Sequence, residues 1–540
     1  MTNRTRTDAL LLAGFCAFLF FYGLNQFGLI GADEPRYAQV AREMLERHDW
    51  ITPVLNGRPW LEKPPLYYWQ AMIAYAVFGV SDWSARLPSA FDATLLVLAI
   101  YFFLRKFRRG FELDAALITA ACAGIIAYSR AASMDMVLTT VFTIGMLGWW
   151  GWHENEGKYY LALFYAAMAL GTLAKGPVAP VLGILTIAFY AAAIRERRVI
   201  TRTLWIPGIV LFCAISLPWY FTVQSRNPIF FHEFIVQHNL ERFSENLYHH
   251  TEPFWYYLPV TALAVVPWTV FVSVAAVGLI RRLKLKSHNA GGEIKDQFGF
   301  FALCWLIATV IFFSISQSKL PGYILPAVPA AALLLTSYLG SRLETPDPQP
   351  VAKWLAILHG LVAAVPIVPG LLIAYILQQH RMPNGRPLIT AVLVAFILWA
   401  GIALTLISRA GLRMLRFVTL VPILLTVGTV LKLGSTDLDQ SLSARPLAVE
   451  LISMETHPLP LAIYRVRREL EYGLNFYFNQ QPSHYDWGEI PKQEHLLVAP
   501  ENSQAEIARL APGRRISYLG HFAPQHVDYY WVAAAAAPAR

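Results

Sequence analysis

The sequence predicts an α-helical polytopic membrane protein of about 13 transmembrane helices, followed by a small C-terminal α/β domain. Of the 540 residues, 56% are hydrophobic and only 15% are charged, whereas a soluble domain usually carries about 25% charged residues. Long apolar runs recur until about residue 434, and short alternating helix and strand patterns follow them. These observations exclude a soluble globular protein as the overall class.

The basic balance of the chain fits a membrane protein and does not indicate a nucleic-acid partner. The net charge is +9, and in polytopic proteins a basic excess commonly lies in cytoplasmic loops. No basic stripe marks the tail, so we predict no nucleic-acid binding. The cysteines all lie in apolar runs without a CxxC motif, and they predict neither a disulfide framework nor a thiolate metal site. They are Cys16, Cys122, Cys213 and Cys304.

The predicted spans are apolar segments that approach the roughly 20 residues needed to cross a bilayer. Arg4 and Arg6 precede the first segment, which is longer than the apolar part of a signal peptide and is expected to be retained. The segments are 8–30, 86–104, 113–129, 134–152, 159–174, 177–194, 203–223, 254–280, 299–316, 322–340, 352–378, 388–407 and 415–433. Segment 65–79 is apolar but short and rich in aromatic residues, so we place it in the interface.

The basic residues set the predicted orientation. With 65–79 in the interface, every strong basic cluster falls on the N-terminal side of the membrane, which the positive-inside rule assigns to the cytoplasm. The clusters are 105–109, 195–202, 281–286 and 409–416. The N-terminus is then cytoplasmic and the C-terminus lies outside. We expect the first outer loop, 31–85, to carry an amphipathic helix over 33–48, lying flat on the outer leaflet with 65–79.

Two domains follow from this topology, a membrane domain over 1–434 and an outer α/β domain over 435–540. Within the outer domain, apolar periodicity predicts two helices and four strands. The helices lie near 443–454 and 502–511, and the strands near 460–466, 495–499, 515–521 and 527–533. The tail sequence contains no glycine-rich phosphate loop.

Acidic residues just after the first span are the first candidates for chemistry. Asp33 and Glu34 open the predicted helix 33–48. In a structural interpretation, the acid caps that helix and interacts with its dipole. In a functional interpretation, Asp33 is a general base or sugar-binding acceptor at the mouth of an interfacial cavity. Tyr37 follows one turn later on the same face of the helix.

A second charged cluster in the same loop consists of Glu62 and Lys63, followed by Pro64 and Pro65. An interfacial lysine can simply contact lipid phosphates. The two prolines, however, stiffen the backbone immediately after Lys63. We therefore favour a cation held in place, which is what a phosphate leaving group requires.

Three further residues lie at outer ends of predicted spans. Asp135 is either an ordinary helix start with Arg130 as its surface partner or a second carboxylate facing the same cavity. Lys319 is a lone cation on the side where the charge bias disfavours one, which indicates a role with phosphate. Lys175 belongs to a Lys-Gly-Pro turn, for which we favour a structural role.

The outer loop 225–253 contains several histidines and arginines. Loop histidines are usually solvated, but an arginine beside an outer cavity is suited to phosphate binding, and Arg242 is the candidate. A zinc site that combines His238 with Glu62 is a further hypothesis. We expect no cofactor to be required, and a divalent metal ion such as zinc is the alternative.

Four motifs occur in order along most of the chain. They are 32–38 (Ala-Asp-Glu-Pro-Arg-Tyr-Ala), 60–65 (Trp-Leu-Glu-Lys-Pro-Pro), 175–177 (Lys-Gly-Pro) and 318–326 (Ser-Lys-Leu-Pro-Gly-Tyr-Ile-Leu-Pro). Together they resemble bacterial aminoarabinose lipid A transferases. The wider set is the polyprenyl-phosphate-dependent glycosyltransferase-C superfamily, which includes protein O-mannosyltransferases.

This resemblance implies thirteen spans, interfacial helices in the first outer loop, and a periplasmic C-terminal α/β domain in a multi-pass protein of the bacterial inner membrane. It also implies sugar transfer from undecaprenyl phosphate, with inversion at the anomeric carbon. Its motifs make Asp33 the essential first-loop aspartate and Tyr37 its aromatic neighbour. Trp60 departs from the family pattern, in which we expect a tyrosine, and this change bears on a hydroxyl contact and on the identity of the sugar.

The candidate site combines the motif residues with those of the outer loops. The expected catalytic residues are Asp33, Glu62, Lys63 and Asp135. The expected substrate-binding residues are Arg36, Tyr37, Trp60, His238, Arg242, Lys319 and Tyr323. The hypothesis requires Asp33 and Lys63 to face one wet cavity at the outer leaflet.

The expected activity is transfer of a sugar, 4-amino-4-deoxy-L-arabinose, from undecaprenyl phosphate to a phosphate of lipid A. Alternative acceptors are protein hydroxyls or another glycan. A lipid-linked sugar flippase or transporter is the rival from another class, but the unusual charges gather on one face and no repeated halves are visible in the sequence. We expect a monomer whose partners are the lipid-linked donor, the acceptor and membrane lipids.

Overall fold

The computed structural model describes residues 3–241, 252–287, 296–343, 351–372, 385–408 and 411–535. The chain forms two compact units. The first comprises Met1–Tyr22, Leu61–Tyr67 and Arg86–Val430, and the second comprises Gly23–Trp60, Tyr68–Ala85 and Leu431–Arg540.

The described secondary structure is mainly helical. In chain order the α-helices are α1 (Asn3–Cys16), α2 (Asp33–Glu46), α3 (Leu66–Phe78), α4 (Asp82–Phe107), α5 (Glu112–Ala120), α6 (Ala123–Ser129), α7 (Met134–Asn155), α8 (Lys158–Lys175), α9 (Val178–Ile194), α10 (Arg198–Thr203), α11 (Ile206–Arg226), α12 (Tyr257–Ala264), α13 (Thr269–Ser287), α14 (Gln297–Ile315), α15 (Val328–Leu343), α16 (Lys353–Ala364), α17 (Gly385–Ile407), α18 (Leu415–Thr429), α19 (Ser435–Leu442), α20 (Arg445–Met454), α21 (Arg468–Phe478) and α22 (Gln504–Leu510). The strands are β1 (Val54–Leu55), β2 (Arg58–Pro59), β3 (Leu461–Ile463), β4 (Ser483–His484), β5 (His495–Pro500), β6 (Ile516–Phe522) and β7 (Val527–Val532).

The long apolar helices confirm a polytopic membrane protein. Within the described segments, 7 helices are long and apolar enough to cross a membrane, or up to 9 if each of two bent helix pairs is one span. The bent pairs are α5 with α6, at 63°, and α12 with α13, at 118°. The predicted number of thirteen is not confirmed. Helices α7 and α8 coincide with two predicted spans but are not among these seven.

Close packing of two helices in the first unit fixes the start of one against the end of the other. A Cβ atom at Gly148 of α7 would lie 3.0 Å from the carbonyl oxygen of Tyr160 in α8. Glycine at this position therefore lets the two backbones approach closely. The first turn of α7 carries Asp135, and α8 ends with Lys175.

The second unit contains a five-stranded mixed sheet with the order β4-β3-β5-β7-β6. Strand β3 pairs in parallel with β4 and β5, while β7 pairs antiparallel with β5 and β6. Apolar residues of β3, β5 and β7 pack against α20 and α21 on one face, and a second cluster around Tyr485 and Ile507 fills the other. The predicted α/β fold of the tail is confirmed. Helix α21 and strand β4 were absent from the prediction.

The second unit also takes up most of the first outer loop, which the sequence prediction assigned to the membrane domain. In α2, Gln39 donates a hydrogen bond to Asn479 at 3.1 Å, and Arg42 donates one to the carbonyl oxygen of Phe476 at 3.2 Å. Helix α2 therefore packs along the C-terminal end of α21. These contacts explain why residues 23–60 and 68–85 group with the tail: their polar side chains find partners there.

The segment just before α2 is bound in the same way. The N–H group of Gly28 donates to Asp439 at 2.7 Å, and the N–H group of Leu29 donates to the hydroxyl of Tyr477 at 2.8 Å. Arg445 joins this region to two acids, since it forms ion pairs with Asp82 at 2.8 Å and with Asp439 at 2.6 Å. The approach to α2 is therefore held by side chains of the tail.

Candidate functional site

Asp135 lies in the first turn of α7, where Ser133 is the N-cap residue. The Ser133 hydroxyl accepts a hydrogen bond from the backbone N–H of Asp135 at 3.1 Å and donates one to its carboxylate at 2.8 Å. The other carboxylate oxygen forms an ion pair with Lys175, and the two side chains are 17% and 15% exposed. Asp135 is therefore a largely buried carboxylate with a fixed cationic partner.

The structure excludes Arg130 as the surface partner of Asp135. Arg130 is buried and donates a hydrogen bond to the carbonyl oxygen of Leu19 at 3.1 Å. Lys175, which the sequence assigned to a structural turn, takes that place instead. Its Nζ atom also lies 4.4 Å from the ring centroid of Tyr323, within the range of a cation–π contact. Tyr323, a predicted substrate-binding residue, thus belongs to this cluster.

Lys63 is half-buried and acts electrostatically on Asp135 from the first unit. The chain around it is held firmly, since Leu61 is buried on one side and Pro64 and Pro65 are buried on the other. Two lysine ammonium groups, those of Lys63 and Lys175, therefore influence the same carboxylate. Such a group carries more positive than negative charge, which is the balance that a phosphate anion requires.

Lys319 has a buried side chain and a specific backbone partner. Its Nζ atom donates a hydrogen bond to the carbonyl oxygen of Ser316 at 2.6 Å, just after the end of α14. The neighbouring Leu320 is held in turn, because its N–H group and its carbonyl oxygen both bond to the hydroxyl of Tyr257. This lysine closes a helix end, and its role with phosphate stays a prediction.

Glu62 has a carboxylate neighbour that sequence reasoning missed. Glu233 lies in the helical turn Phe231–Glu241, and burial raises the pKa of its carboxyl, with a further rise from the negative charge of Glu62. The side chain of His238 and the whole of Arg242 lie outside the described residues. Among the residues that are described, no three His, Cys, Asp or Glu side chains form a group that could hold a metal ion.

In the second unit, Asp33 is the first residue of α2 but does not cap it. The N-cap residue is Ala32, and the Glu34 carboxylate accepts the hydrogen bond from the N–H group of Ile30 at 2.9 Å. Asp33 instead forms an ion pair with Arg36, one turn along the helix. Its side chain is 56% exposed, whereas that of Arg36 is only 9% exposed. The carboxylate therefore remains accessible while its cation is fixed.

Three aromatic rings enclose the guanidinium group of Arg36. Its central carbon lies 5.1 Å from the ring centroid of Trp60, 5.2 Å from that of Tyr37 and 5.5 Å from that of Tyr472. Each distance is within the range of a cation–π interaction. We name Tyr37, Trp60 and Tyr472 the aromatic cage. Two of its members were predicted from the sequence, and Tyr472 of α21 was not.

Trp60, where the resemblance led us to expect tyrosine, supplies the cage with an indole ring. Tryptophan gives the strongest cation–π contact of the three aromatic residues. The indole N–H is buried and forms no hydrogen bond with any part of the protein that the structure describes. The position thus presents a donor where tyrosine would present a hydroxyl group.

The predicted site residues divide between the units. Lys63, Asp135 and Tyr323 form one cluster with Lys175 in the first unit, which we name the lysine cluster. Asp33 forms the other cluster with Arg36 and its aromatic cage. The predicted common cavity of Asp33 and Lys63 stays a prediction. No sequence signal identified Tyr472, because it lies far along the chain from its partners.

Comparisons with known proteins identify what the chain as a whole is similar to. A family model described as dolichyl-phosphate-mannose-protein mannosyltransferase matches residues 8–234. The undecaprenyl phosphate-alpha-4-amino-4-deoxy-L-arabinose arabinosyl transferase of Yersinia enterocolitica is 30% identical over 394 residues, which cover 69% of this chain and 68% of that protein. The protein of the same name from Yersinia pestis is 30% identical over 342 residues, covering 62% of this chain and 59% of that one. The chain thus spans less than two thirds of the length of some relatives that it matches.

Two solved structures share the fold. They are ArnT from Cupriavidus metallidurans bound to undecaprenyl phosphate, with a TM-score of 0.76 and 24% identity over 97% of each chain, and the same protein in the apo state, with a TM-score of 0.75 and 21% identity over 98% of each chain.

Proposed function

Because the chain belongs to the family of undecaprenyl phosphate-alpha-4-amino-4-deoxy-L-arabinose arabinosyl transferases, we propose that it transfers 4-amino-4-deoxy-L-arabinose from undecaprenyl phosphate to a phosphate of lipid A. The chain is a multi-pass protein of the inner membrane. In the proposal its N-terminus is cytoplasmic, its C-terminal domain is periplasmic, and it acts as a monomer. The observation that carries the proposal is the lysine cluster around the buried Asp135.

The proposed reaction exchanges one bond for another. The bond between the anomeric carbon and the donor phosphate breaks, and its electron pair leaves with undecaprenyl phosphate. A new bond forms between the anomeric carbon and an oxygen of the lipid A phosphate. The leaving phosphate gains about one unit of negative charge as a diester becomes a monoester. Fixed cations such as Lys63 stabilise that charge more in the transition state than in the ground state.

The proposed role of Asp33 depends on whether the acceptor is a phosphate or a hydroxyl group. A lipid A phosphate is already anionic at neutral pH, so it needs positioning more than deprotonation. A protein or glycan hydroxyl must lose its proton, and an exposed carboxylate can take it, which contributes about 10²–10⁴ in rate. The match of residues 8–234 to the protein mannosyltransferase family favours hydroxyl transfer as the second candidate function.

The decisive experiment uses the purified full-length chain in detergent, with the undecaprenyl-phosphate-linked sugar as donor. We expect lipid A to gain one aminoarabinose, detected by mass spectrometry. Lipid A stripped of its phosphates is the control and should gain none. Transfer only to a peptide or glycan hydroxyl would establish the second candidate. A protein that moves the donor across a vesicle membrane without converting it would be a transporter, contrary to both.

Two substitutions test the roles within that assay. Lys63→Ala should lower turnover by about 10²–10³, which is typical for the loss of one fixed group facing developing charge. Asp33→Asn should abolish transfer to a hydroxyl acceptor and leave residual transfer to lipid A phosphate. Arg509→Ala, an exposed position in the last turn of α22, is the control. Turnover like that of the unchanged protein in both site variants would disprove the assignment.

We further propose that no divalent ion takes part in the chemistry, because the two lysines supply the positive charge. A zinc ion held by Glu62 and His238 is the alternative, and Glu233 would stand beside it. Dialysis against EDTA should leave turnover unchanged. Loss of turnover that zinc restores would support the alternative.

A further inference from the structure

A cavity of about 840 Å³ lies within the second unit, between the start of α21 and the turn that joins β6 to β7. Its other walls come from the end of α19 and from the residues just before α2. Ligand pockets commonly have volumes of about 300–1,000 Å³. The cavity is thus large enough for a sugar or a phosphorylated head group.

One end of the cavity is cationic. Arg467, the N-cap residue of α21, and Arg468, its first helical residue, both line it and are exposed. In the part of the chain that the structure describes, Arg467 forms no ion pair. The first backbone N–H groups of a helix have no partners inside it, and together with the helix dipole they add to the attraction for an anion.

Arg468 is held in place by Tyr472 of the aromatic cage. Its guanidinium carbon lies 5.7 Å from the ring centroid of Tyr472. A hydrogen bond with the Tyr472 hydroxyl raises the pKa of Arg468, and the positive charge of Arg36 acts against this rise. Two arginines therefore approach the same ring and repel each other. An anion bound at Arg468 would relieve that repulsion.

The remaining lining is mostly apolar. Ile30, Leu442, Leu470 and Val527 contribute to the walls, and Leu442 is 50% exposed. A free inorganic anion has no apolar surface to bury against these walls, whereas a phosphorylated lipid does. One acid, Glu469, also lines the cavity and should weaken the binding of any anion.

The cavity lies close in the chain to a predicted catalytic residue. Gly31 lines it, and Asp33 follows two positions later. Two residues of extended chain span at most about 7 Å. Gly31 has a φ of +67°, and a Cβ atom at this position would meet nothing within 4 Å. A ligand in the cavity can therefore reach the start of α2.

We infer that this cavity binds the phosphate monoester of a phosphorylated glycolipid acceptor. Arg467 and Arg468 bind the phosphate oxygens, and the apolar walls contact the lipid part. The identity of the acceptor as lipid A rests on the proposed function, while the site itself rests on the cavity and its arginines. Binding is measured without donor, so a lack of sugar transfer would leave the result intact.

The test titrates lipid A into full-length protein in nanodiscs and measures bound lipid by native mass spectrometry. We expect Arg467→Gln to weaken the affinity about tenfold, as expected for the loss of one charge-assisted contact. The double variant with Arg468→Gln should weaken it further. Glu469→Gln should tighten binding a few-fold, because a repulsive charge is removed. Arg509→Gln, which removes an equal charge outside the cavity, should bind as the unchanged protein does.

Two ligand controls identify what the site recognises. Lipid A without phosphates should bind as weakly to the unchanged protein as intact lipid A does to the double variant. Inorganic phosphate should compete only weakly, since it lacks the apolar part. Equal affinity of the double variant and the unchanged protein for lipid A would overturn the inference. Inorganic phosphate that binds as tightly as lipid A would also overturn it, because the site would then serve the free ion.

Discussion

Two of the three carboxylates predicted to act in catalysis, Asp135 and Asp33, are paired in opposite ways. Asp135 and its partner Lys175 are both largely buried, with side chains 17% and 15% exposed. Asp33 is 56% exposed, whereas its partner Arg36 is 9% exposed and enclosed by rings. In the lysine cluster, neither charge can leave the other without a large desolvation cost. At α2 the cation is fixed and the acid remains available to a ligand. The first pair is therefore a fixed pair of opposite charges, and the second leaves a carboxylate accessible to a ligand.

The largest effect should come from breaking the buried pair. Lys175→Met leaves the Asp135 carboxylate without its partner, and removing one member of a buried pair typically costs about 3–5 kcal/mol in the free energy of unfolding. The double variant with Asp135→Asn should recover most of that loss. Denaturant unfolding in detergent measures both.

The matched control for that prediction is the exposed pair of Arg202 and Glu156, with side chains 56% and 69% exposed. Arg202→Met should change the free energy of unfolding by about 0–1 kcal/mol. Equal losses for Lys175→Met and Arg202→Met would show that burial does not distinguish the pairs.

The next largest effect should come from opening the aromatic cage. Tyr472→Ala removes one ring from Arg36 and should lower turnover about tenfold, which corresponds to about 1.4 kcal/mol. Tyr472→Phe keeps the ring and should retain most of the turnover. Because Tyr472 acts through Arg36, we expect kcat to fall while the thermal unfolding midpoint moves little. A fall in stability without a fall in kcat would mean that the ring serves packing alone.

A smaller effect is expected at Trp60. Trp60→Tyr keeps an aromatic face over Arg36 but weakens the cation–π contact, which favours tryptophan. Turnover with the aminoarabinose donor should change by no more than about threefold, since only part of roughly 1 kcal/mol is lost. Competition between two lipid-linked sugars would show whether the added hydroxyl alters donor preference. A loss as large as that of Tyr472→Ala would make Trp60 the dominant ring of the cage.

The smallest effect should be a loss of stability in the second unit as the pH falls. His495 is buried, its Nδ1 atom donates to the carbonyl oxygen of Gln493 at 2.8 Å, and its Nε2 atom accepts from the Tyr485 hydroxyl at 2.5 Å. Burial lowers the pKa of His495. As the pH falls through the ordinary value of about 6.5, the unfolded state therefore takes up the proton first, and stability is lost.

Hydrogen exchange in full-length protein at pH 7.5 and 5.5 checks this direction, with rates corrected for intrinsic exchange. Amides of β5 should lose protection at the lower pH, and His495→Gln should reduce that loss. The exposed His457 provides the control substitution His457→Gln, which should keep the pH response. A response that persists unchanged in His495→Gln would assign it to another group.

Local signals in the sequence were sufficient for most of the fold. Apolar windows located the long helices, and alternation located β5, β6 and β7, because both patterns depend on near neighbours. Helix α21 was missed, since Tyr472 and Phe476 also suit a strand and Gly473 is a poor helix former. Strand β4 is only two residues long, which is too short for any periodic signal.

The candidate residues were chosen from two kinds of sequence signal. Asp33, Glu62 and Lys63 lie in short motifs of the first outer loop, and Asp135 was chosen because it lies at the outer end of a predicted span. The partner of Asp135 is 40 positions away, and the third ring of the cage lies in the tail. Pairings of this kind depend on tertiary packing, which a single sequence does not encode as a pattern.

The hydrogen bonds of the segment before α2 have a consequence for how the protein is made. The N–H group of Gly28 bonds to a residue 411 positions later, and that of Leu29 to one 448 positions later. At about 5–20 residues per second, the ribosome supplies the first of these partners roughly 20 to 80 s after it has made Gly28. The loop that carries Asp33 therefore lacks these two hydrogen bonds while the intervening spans are inserted. A chain whose synthesis stops before residue 439 would occupy the membrane without ever assembling that loop.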